Sequence, residues 1–488
     1  MMKNLSHLIQ CLDHPLVAGT INRPIRHVTM DSRECSTDSM FIAVRGTVVD
    51  GHSFIDSLSG KGVAAVVCEE LPANPDPDIT FIQVRNTSHA LGRLASEWYD
   101  NPSGRLKLVG VTGTNGKTTT ATLIYEMARL LGYKAGLLST VVNYIDTRAV
   151  EARQTTPDAL TINRLLHEMV EAGCEYAAME VSSHAAHQQR IAGLTFAGAI
   201  FTNLTRDHLD YHRTFADYLA AKKSFFDSLP EEAWTLTNAD ESHGEVMVQN
   251  TRARRYNYSL RTMANFTGRV IEDRIDGMLM SLNGTELETR FTGRFNAYNL
   301  TAVYGASTLL GWDNMEILVA MSKLVPVAGR FQTFRSARRG YTAIVDYAHT
   351  PDAVVNVLQA IREVAGNDSD IITVVGAGGN RDKGKRPIMA AEAARLSNRV
   401  ILTSDNPRFE NPEDILHDME AGLDSDARSR TLSIVDRREA IRTATALARP
   451  GDVILIAGKG HEDYQEIQGV KHHFDDREII SEIIAGES

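Results

Sequence analysis

A glycine-rich turn at residues 113–118, with the sequence GTNGKT, is the feature that most constrains this chain. Apolar residues 106–111 come directly before it and predict a buried strand. The residues after it predict a helix whose apolar face consists of Leu123, Ile124, Met127, Leu130 and Leu131. A strand, a tight turn and a helix in this order are typical of a phosphate-binding loop, because backbone N–H groups and the helix N-terminus both attract anions. The turn therefore predicts an α/β sheet that binds ATP or GTP.

Two side chains of this turn suit a nucleoside triphosphate. Lys117 would reach the terminal phosphates, and the hydroxyl of Thr118 would bind Mg²⁺. The commonest form of the motif has glycine five residues before Gly116, where this chain has Val111. A shorter form has that glycine three residues before, and Gly113 meets it. The turn predicts nucleotide binding, but it does not indicate what the nucleotide is used for.

Length and composition limit the class of protein. A chain of 488 residues exceeds one ordinary core, so we expect two to four domains. The formal net charge of −11 argues against a dedicated nucleic-acid-binding protein. The four cysteines are scattered without metal-ligand or redox spacing, which is typical of reduced cytosolic thiols. The first residues do not resemble a signal peptide, and no apolar run is long enough to cross a bilayer, so we expect a cytoplasmic protein without a membrane partner.

Short apolar runs recur along the chain, and most of them end in a polar motif. The clearest predicted strands are residues 41–44, 63–67, 176–179, 197–201, 342–345, 371–375, 399–402 and 453–456. In open parallel sheets, ligands bind at the carboxyl ends of the strands. We therefore predict two α/β sheets that face each other across a cleft, with ATP held by one sheet and a second substrate by the other.

Polar residues after the central predicted strands suit a phosphate and metal site. Glu180 ends one strand and is an oxygen ligand suited to Mg²⁺. His208 and His212 are four residues apart, but the zinc-protease motif needs Glu after the first histidine, where this chain has Leu209. We therefore reject zinc and keep His208 as a candidate site residue. Lys222, by itself, has the pattern of a solvated lysine on a helix.

Motifs after the C-terminal predicted strands suit a zwitterionic ligand. The glycine-rich and basic stretch at residues 376–387 predicts an anion site. Arg408, in the sequence SDNPR at residues 404–408, can bind a carboxylate through two parallel hydrogen bonds. Glu462, in the sequence GKGHE at residues 458–462, offers a carboxylate to an ammonium group. An arginine and a glutamate in one pocket would suit an amino acid.

Together, these motifs resemble those of the Mur ligases, the ATP-dependent amide-forming enzymes of peptidoglycan precursor synthesis. The matching positions follow the family order over nearly the whole chain and are residues 113–118, 180–184, Asn203 with His208, Lys222, 293–299, 329–331 and 346–352. The resemblance implies an α/β protein of three domains, which are a small N-terminal α/β domain for the UDP moiety, a central P-loop ATPase domain and a C-terminal Rossmann-like domain. We predict their bounds as residues 1–97, 98–329 and 330–488, and we expect a monomer.

Two finer resemblances indicate the substrates. Residues 29–33 are similar to the uridine-nucleotide site of the family member that adds the third amino acid, and residues 405–408 are similar to its meso-diaminopimelate-adding form. The resemblance therefore implies that meso-diaminopimelate is joined to the D-glutamyl γ-carboxylate of UDP-N-acetylmuramoyl-L-alanyl-D-glutamate. The reaction would pass through an acyl phosphate and release ADP and phosphate. Such a ligase serves cell-wall biogenesis and, through it, cell shape and cell division.

The family also implies roles for individual residues. One Mg²⁺ would be held by Thr118 and Glu180, and a second by His208 and a carboxylated Lys222 (N6-carboxylysine), whose carbamate supplies oxygen ligands. The catalytic groups would be Lys117, Lys222, His208 and Arg330. ATP would be bound by Gly113, Thr114, Asn115, Gly116, Lys117, Thr118, Thr119, Asn299 at the adenine, Arg330 at the phosphates and Asp346 at the ribose. The UDP-linked dipeptide would be bound by Met30, Ser32, Thr47, Val48, Val49, Thr155, Thr156, Ser182, Gln188 and Arg190. Diaminopimelate would be bound by Arg381, Asp405, Asn406, Pro407, Arg408, Gly458 and Glu462.

Three alternatives remain open. A folylpolyglutamate-type ligase shares the central motifs but gives no reason for the Asp31-Ser32-Arg33 segment. A ligase specific for lysine is disfavoured by Arg408, which lysine-adding relatives lack. A nucleotide-switch or interaction protein would explain the phosphate loop but not the second set of motifs at strand ends.

Overall fold

The computed structural model describes residues 1–46, 49–152, 154–205, 211–212, 214–366 and 368–487. Their strands form three main sheets, one for each successive part of the chain. The α/β class predicted from the sequence is confirmed. Within the described residues, no helix is both long and apolar enough to span a membrane.

The first part of the chain carries the smallest of the main sheets. Its strands are β1 (Lys3–Asn4), β2 (Leu16–Ala18), β3 (Pro24–Ile25), β4 (His27–Thr29), β5 (Ser39–Ile42), β6 (Ala65–Cys68) and β7 (Thr80–Gln83). Its α-helices are α1 (Leu5–Leu8) and α2 (Thr87–Trp98). The main sheet has the order β2-β7-β6-β5-β4, parallel except for β2, while β1 and β3 form a separate antiparallel pair. Apolar residues of α2 cover one face of the main sheet, as shown by Leu94 packing in the same cluster as Ile42 and Val67.

The central part carries the largest sheet. Its strands are β8 (Lys107–Thr112), β9 (Ala135–Leu138), β10 (Asn143–Ile145), β11 (Arg148–Val150), β12 (Tyr176–Glu180), β13 (Gly198–Phe201), β14 (Trp234–Asn238), β15 (Arg254–Ser259), β16 (Phe266–Arg274), β17 (Gly277–Leu282) and β18 (Thr285–Thr289). Its helices are α3 (Lys117–Leu130), α4 (Ala159–Glu171), α5 (Ser183–His187), α6 (Phe215–Asp227), α7 (Gly244–Met247), α8 (Arg294–Leu309) and α9 (Asn314–Lys323). The order is β11-β10-β9-β12-β8-β13-β14-β15-β16-β17-β18, with a parallel middle and antiparallel strands at both edges.

The last part carries a mostly parallel sheet and a hairpin. Its strands are β19 (Gln332–Arg335), β20 (Thr342–Asp346), β21 (Ile371–Ala377), β22 (Arg399–Ser404), β23 (Thr431–Ile434), β24 (Val453–Ala457), β25 (Tyr464–Ile467) and β26 (Val470–His473). Its helices are α10 (Pro351–Ala365), α11 (Lys385–Leu396), α12 (Pro412–Glu420), α13 (Ser425–Ser429), α14 (Arg437–Leu447) and α15 (Asp476–Gly486). The sheet has the order β19-β20-β24-β21-β22-β23, in which only the β19 pairing is antiparallel, and β25 pairs with β26.

The predicted strands agree with the observed ones to within a few residues at each end. The inner parallel strands β8, β12, β13, β21, β22 and β24 are buried over almost their whole length, as expected for strands inside a parallel sheet. One prediction about the helix after the phosphate loop is wrong. Leu123, Ile124 and Met127 are buried on α3 as expected, but Leu130 is 44% exposed, since it lies in the last turn at the edge of the buried face.

Candidate active site

A cavity of about 960 Å³ lies between the central sheet and the C-terminal sheet. Its walls are the loops that follow β8, β12 and β13 on one side and β20, β21, β22 and β24 on the other. Parallel strands end at the same edge of a sheet, so the two sets of polar motifs meet here. Predicted site residues that line the cavity are Thr114, Asn115, Gly116, Lys117, Thr118, Thr119, Thr155, Thr156, Glu180, Ser182, Arg190, Lys222, Asn299, Arg330, Asp346, Arg381, Asp405, Asn406, Arg408, Gly458 and Glu462.

The other predicted residues lie elsewhere. Gly113, Gln188 and Pro407 are next to lining residues without forming the wall themselves. Met30, Ser32 and Val49 belong to the N-terminal part of the chain and do not line this cavity. Thr47, Val48 and His208 lie outside the described residues.

The phosphate loop has a backbone that only glycine tolerates at two points. Gly113 has φ of 150°, and a Cβ atom there would lie 2.0 Å from the hydroxyl oxygen of Thr202. Gly116 has φ of 84°, and its Cβ would lie 2.6 Å from Oδ1 of Asn299. The loop therefore packs tightly on its neighbours. Asn299, predicted at the adenine, touches the loop itself in this structure.

Two lysines surround the first carbonyl of the loop. Nζ of Lys117 donates to the carbonyl oxygens of Gly113 and Thr114 at 3.0 and 2.8 Å. Nζ of Lys222 donates to the same Gly113 carbonyl at 2.8 Å. Lys222 is 1% exposed on α6, which disagrees with the solvated lysine that its local pattern suggests. The fold therefore concentrates positive charge where a phosphate group would bind.

Glu180 and Thr118 form an oxygen-rich corner beside the loop. The hydroxyl of Thr118 donates to Oε2 of Glu180 at 3.0 Å, and the backbone N–H of Thr140 donates to Oε1 at 2.7 Å. Glu180 is 1% exposed. A buried carboxylate with a hydroxyl at hydrogen-bonding distance is a donor set that suits a hard divalent cation. In the ranges that the structure describes, no cluster of three or more His, Cys, Asp or Glu side chains forms a metal site.

Arg330 connects the linker between the two large sheets to the phosphate loop. Its Nη2 donates to the hydroxyl of Thr118 at 3.1 Å, and its guanidinium lies 4.5 Å from the ring centre of Tyr347. The Asp346 carboxylate accepts hydrogen bonds from the backbone N–H groups of Phe331 at 2.7 Å and Ala348 at 2.8 Å. Burial raises the pKa of Asp346, and the nearby charge of Arg330 opposes that rise. Asp346 therefore fixes the linker that carries Arg330.

A basic residue lies beside the Glu180 corner. The guanidinium of Arg190 donates to the carbonyl of Thr156 at 2.7 Å and to Oε1 of Gln188 at 2.6 Å. The hydroxyl of Thr156 donates to the carbonyl of Glu180 at 2.9 Å. Burial lowers the pKa of the Arg190 guanidinium. This arrangement places a cation and several hydroxyl groups where an acidic substrate could approach the phosphate loop.

The C-terminal wall combines carboxylates with an arginine. Nδ2 of Asn406 donates to Oε2 of Glu462 at 2.8 Å. Arg408 has φ of 51°, and its Nη1 donates to the carbonyl of Gly379 at 2.8 Å. Its backbone N–H donates to the carbonyl of Glu466 at 3.0 Å, so strand β25 holds the arginine in this unusual conformation. The pocket presents an acidic end at Glu462 and a basic end at Arg408, which suits an amino acid.

Several lining or neighbouring groups were not predicted as site residues, and three of them make contacts that matter for the site. Tyr347 stacks under Arg330, Thr140 donates its N–H to Glu180, and Lys459 lies fully buried between the acidic residues of the C-terminal wall. Lys459 belongs to the GKGHE motif, which is recognisable in the sequence. The predicted role in that motif falls on Gly458 and Glu462 and does not include Lys459. Tyr347 lies in the 346–352 motif but had no predicted role, and Thr140 carries no signal of its own before the strands are placed in the sheets.

Models of Mur ligase domains match most of the chain. They are the Mur ligase family catalytic domain at residues 24–99, the Mur ligase middle domain at 111–307 and the Mur ligase glutamate ligase domain at 329–460. The UDP-N-acetylmuramoyl-L-alanyl-D-glutamate--2,6-diaminopimelate ligase of Parabacteroides distasonis is 59% identical over 481 residues, 99% of each chain. The protein of that name from Bacteroides fragilis is 57% identical over 481 residues, again 99% of each chain. A solved structure with that name is 32% identical with a TM-score of 0.71, covering 100% of this chain and 99% of the other. This chain belongs to the Mur ligase family.

Proposed function

We propose that this protein is an ATP-dependent ligase that joins meso-2,6-diaminopimelate to the D-glutamyl γ-carboxylate of UDP-N-acetylmuramoyl-L-alanyl-D-glutamate, as its relatives' names describe. The observation that carries the proposal is that one cavity has a phosphate loop on one wall and an amino-acid pocket on the other. An amide-forming ligase needs this arrangement, because the activated carboxylate must meet an amine before water reaches it.

The phosphoryl transfer that begins the reaction would take place at the wall of the cavity formed by the central sheet. Lys117 and Arg330 would neutralise the phosphates of ATP as the γ-phosphoryl group moves to the substrate carboxylate. The protein has little covalent chemistry to perform in such a transfer, and it acts by positioning the partners and by stabilising charge. Arg190, with Thr155, Thr156, Ser182 and Gln188, would hold the acidic dipeptide beside the loop.

One Mg²⁺ would fit the corner formed by Thr118 and Glu180, and we propose that His208 and a carboxylated Lys222 hold a second. The bound ions would supply neutralisation of the phosphate charge. Lys222 is buried with its Nζ 2.8 Å from the Gly113 carbonyl, so a carbamate formed on it would bring oxygen atoms to the phosphate loop.

The incoming amino acid would bind at the wall of the cavity formed by the C-terminal sheet. Glu462 and Asp405 would hold the ammonium end of the incoming amino acid, and Arg408 with Arg381 would hold a carboxylate. Diaminopimelate differs from lysine by a second carboxylate, which would form charged hydrogen bonds with the Arg408 guanidinium that lysine cannot form. Arg408 would therefore favour diaminopimelate over lysine.

Separate sites for UDP, for ATP and for the amino acid imply three domains. We propose the bounds 1–97, 98–329 and 330–488, with Met30, Ser32, Thr47, Val48 and Val49 binding the UDP moiety in the first. The residues that bind UDP would then be separate from those of the chemical step.

The test is the release of phosphate from ATP. We expect release that requires both the UDP-linked dipeptide and diaminopimelate, and much less with lysine in its place. Release without the dipeptide, or equal release with a folate substrate, would contradict the proposal in favour of another ligase or a nucleotide switch.

Arg408→Ala should raise the KM for diaminopimelate by tenfold or more, the order expected for one lost charged hydrogen-bonding partner, while the KM for ATP stays within about twofold. An equal rise in both would remove Arg408 from the amino-acid pocket.

A further inference from the structure

A fully buried lysine contacts residues of the proposed amino-acid pocket from behind the cavity wall. Lys459 follows β24 by two residues, and its side chain is 0% exposed. Lysine is almost never buried completely unless its charge is paired. The neighbours of Lys459 therefore indicate why the fold keeps it there.

Three oxygen atoms of pocket residues surround this ammonium group. Nζ of Lys459 lies 3.2 Å from Oδ1 of Asn406, 3.2 Å from Oε2 of Glu462 and 3.9 Å from Oδ1 of Asp405. Its Nζ also lies 5.4 Å from the ring centre of Tyr464 on β25. The lysine thus connects the two segments, DNPR and GKGHE, that form the pocket.

These contacts determine how the Asn406 amide is oriented. Its Oδ1 accepts from Lys459 and, at 2.9 Å, from the backbone N–H of Glu466, whereas its Nδ2 donates to Oε2 of Glu462. Within the part of the chain that the structure describes, both side-chain hydrogen bonds of Glu462 fall on Oε2. Glu462 lines the cavity, so the arrangement leaves Oε1 as its ligand-binding atom.

The same contacts set the charge of the pocket. Around Lys459, Asp405 and Glu462 contribute two negative charges and Lys459 one buried positive charge, while Arg408 is paired with Glu466 at 3.3 Å and Arg381 also lines the cavity. At neutral pH diaminopimelate carries two ammonium and two carboxylate groups, so its net charge is zero, whereas lysine carries a net charge of +1. A pocket with one more negative charge would attract lysine more strongly without gaining attraction for diaminopimelate.

We propose that Lys459 is a positioning and specificity-determining residue of the amino-acid pocket. It orients Asn406 and Glu462, and its charge offsets the acidic residues so that a zwitterion is preferred over a cationic amino acid. The inference rests on the proposed function and adds to it a residue that does not itself contact the substrate.

The experiment measures KM and kcat for diaminopimelate, lysine and ATP in the wild type, Lys459→Met, Lys459→Gln and Lys459→Arg. We expect Lys459→Met to raise the KM for diaminopimelate and to reduce the preference for diaminopimelate over lysine, each by at least about tenfold, because a unit charge within about 12 Å of the ligand has an effect of that size or larger at an effective dielectric constant near 20. The KM for ATP should change less than about twofold. Lys459→Gln keeps a hydrogen-bond donor without the charge, so it should reduce the preference as much while raising the KM less. Lys459→Arg keeps the charge and should retain the preference.

Lys471→Met is the matched control. Lys471 is exposed on β26 and lies 3.9 Å from the centre of the same Tyr464 ring, but it reaches the ring from outside the pocket. We expect its kinetics to match the wild type. An unchanged preference in Lys459→Gln, or an equal rise in the KM values for ATP and diaminopimelate in Lys459→Met, would overturn the inference. A wild type without diaminopimelate-dependent phosphate release would instead overturn the proposed function.

Discussion

A buried ion pair behind the amino-acid pocket offers a sharp test of the structure. Arg437, the first residue of α14, donates through Nε and Nη2 to the two carboxylate oxygens of Asp476, the first residue of α15, at 2.8 and 2.7 Å. Both side chains are 0% exposed. Nη2 of Arg437 also donates at 2.9 Å to the carbonyl of Ala457, the residue before Gly458. The pair therefore joins two helices to the strand end that carries the pocket.

Asp476→Ala would leave a guanidinium buried without its counter-ion. Removal of one partner from a buried pair costs about 3–5 kcal/mol. For a unit of about 150–250 residues, each kcal/mol lowers the melting temperature by about 2–4 °C, so we expect a fall of roughly 6–20 °C. Arg437→Met with Asp476→Leu removes both charges and should recover most of this loss, because apolar replacements of buried pairs are often neutral or stabilising.

The assay is urea or thermal unfolding followed by far-UV circular dichroism, because the three tryptophans, Trp98, Trp234 and Trp312, all precede the C-terminal part. Arg438 and Glu482 provide the control, since they join the same two helices at 2.8 Å but are 44% and 62% exposed. Glu482→Ala should cost less than about 1 kcal/mol. If Asp476→Ala were no more destabilising than Glu482→Ala, the buried pair described here would be refuted.

Three further predictions concern the site. Lys222→Ala should abolish turnover, and added short carboxylic acids should partly restore it; undiminished activity would remove the carbamate hypothesis. Glu180→Gln should raise the Mg²⁺ concentration for half-maximal activity by at least about tenfold, because the amide loses the ligand charge; an unchanged Mg²⁺ titration would exclude Glu180 as a ligand. Burial lowers the pKa of His461 to about 3, and the charges of Arg330 and Arg477 act in the same direction. As pH falls, His461 is protonated in the unfolded state at a higher pH than in the folded state. This histidine therefore lowers the free energy of unfolding as pH falls from about 6.5 toward 3. His461→Gln should flatten the fall in unfolding free energy between pH 7 and 4, and an unaltered pH profile would contradict the assignment.

Local sequence was sufficient for most of the strands and for the order of the site motifs. Parallel strands buried on both faces are apolar throughout, so the run before the phosphate loop and the run before Glu180 were both recognisable. The glycines at positions 113 and 116 are also explained locally, since both residues adopt a positive φ that other residues rarely adopt. These features depend on a few neighbouring residues, and a single sequence displays them directly.

Residues whose role depends on distant neighbours were harder to predict. Lys222 has the pattern of a surface lysine, yet it lies on the buried face of α6. Its Nζ contacts the carbonyl of Gly113, which is 109 positions earlier in the sequence. Lys459 belongs to a recognised motif, but its role became visible only when DNPR and GKGHE were placed side by side. Leu130 has the spacing of a buried residue, but it lies where α3 ends, and its exposure depends on what packs there.

The sequence by itself determined the α/β class, the phosphate loop and the identity of the chemical groups. It did so because strand periodicity, turn residues and side-chain chemistry are local properties. Only the tertiary structure decided that the two sets of motifs face one cavity, that two lysines converge on the Gly113 carbonyl and that Lys459 is enclosed by acidic residues. The physical reason is that burial and electrostatic environment depend on strand order and domain packing, which bring together residues more than a hundred positions apart.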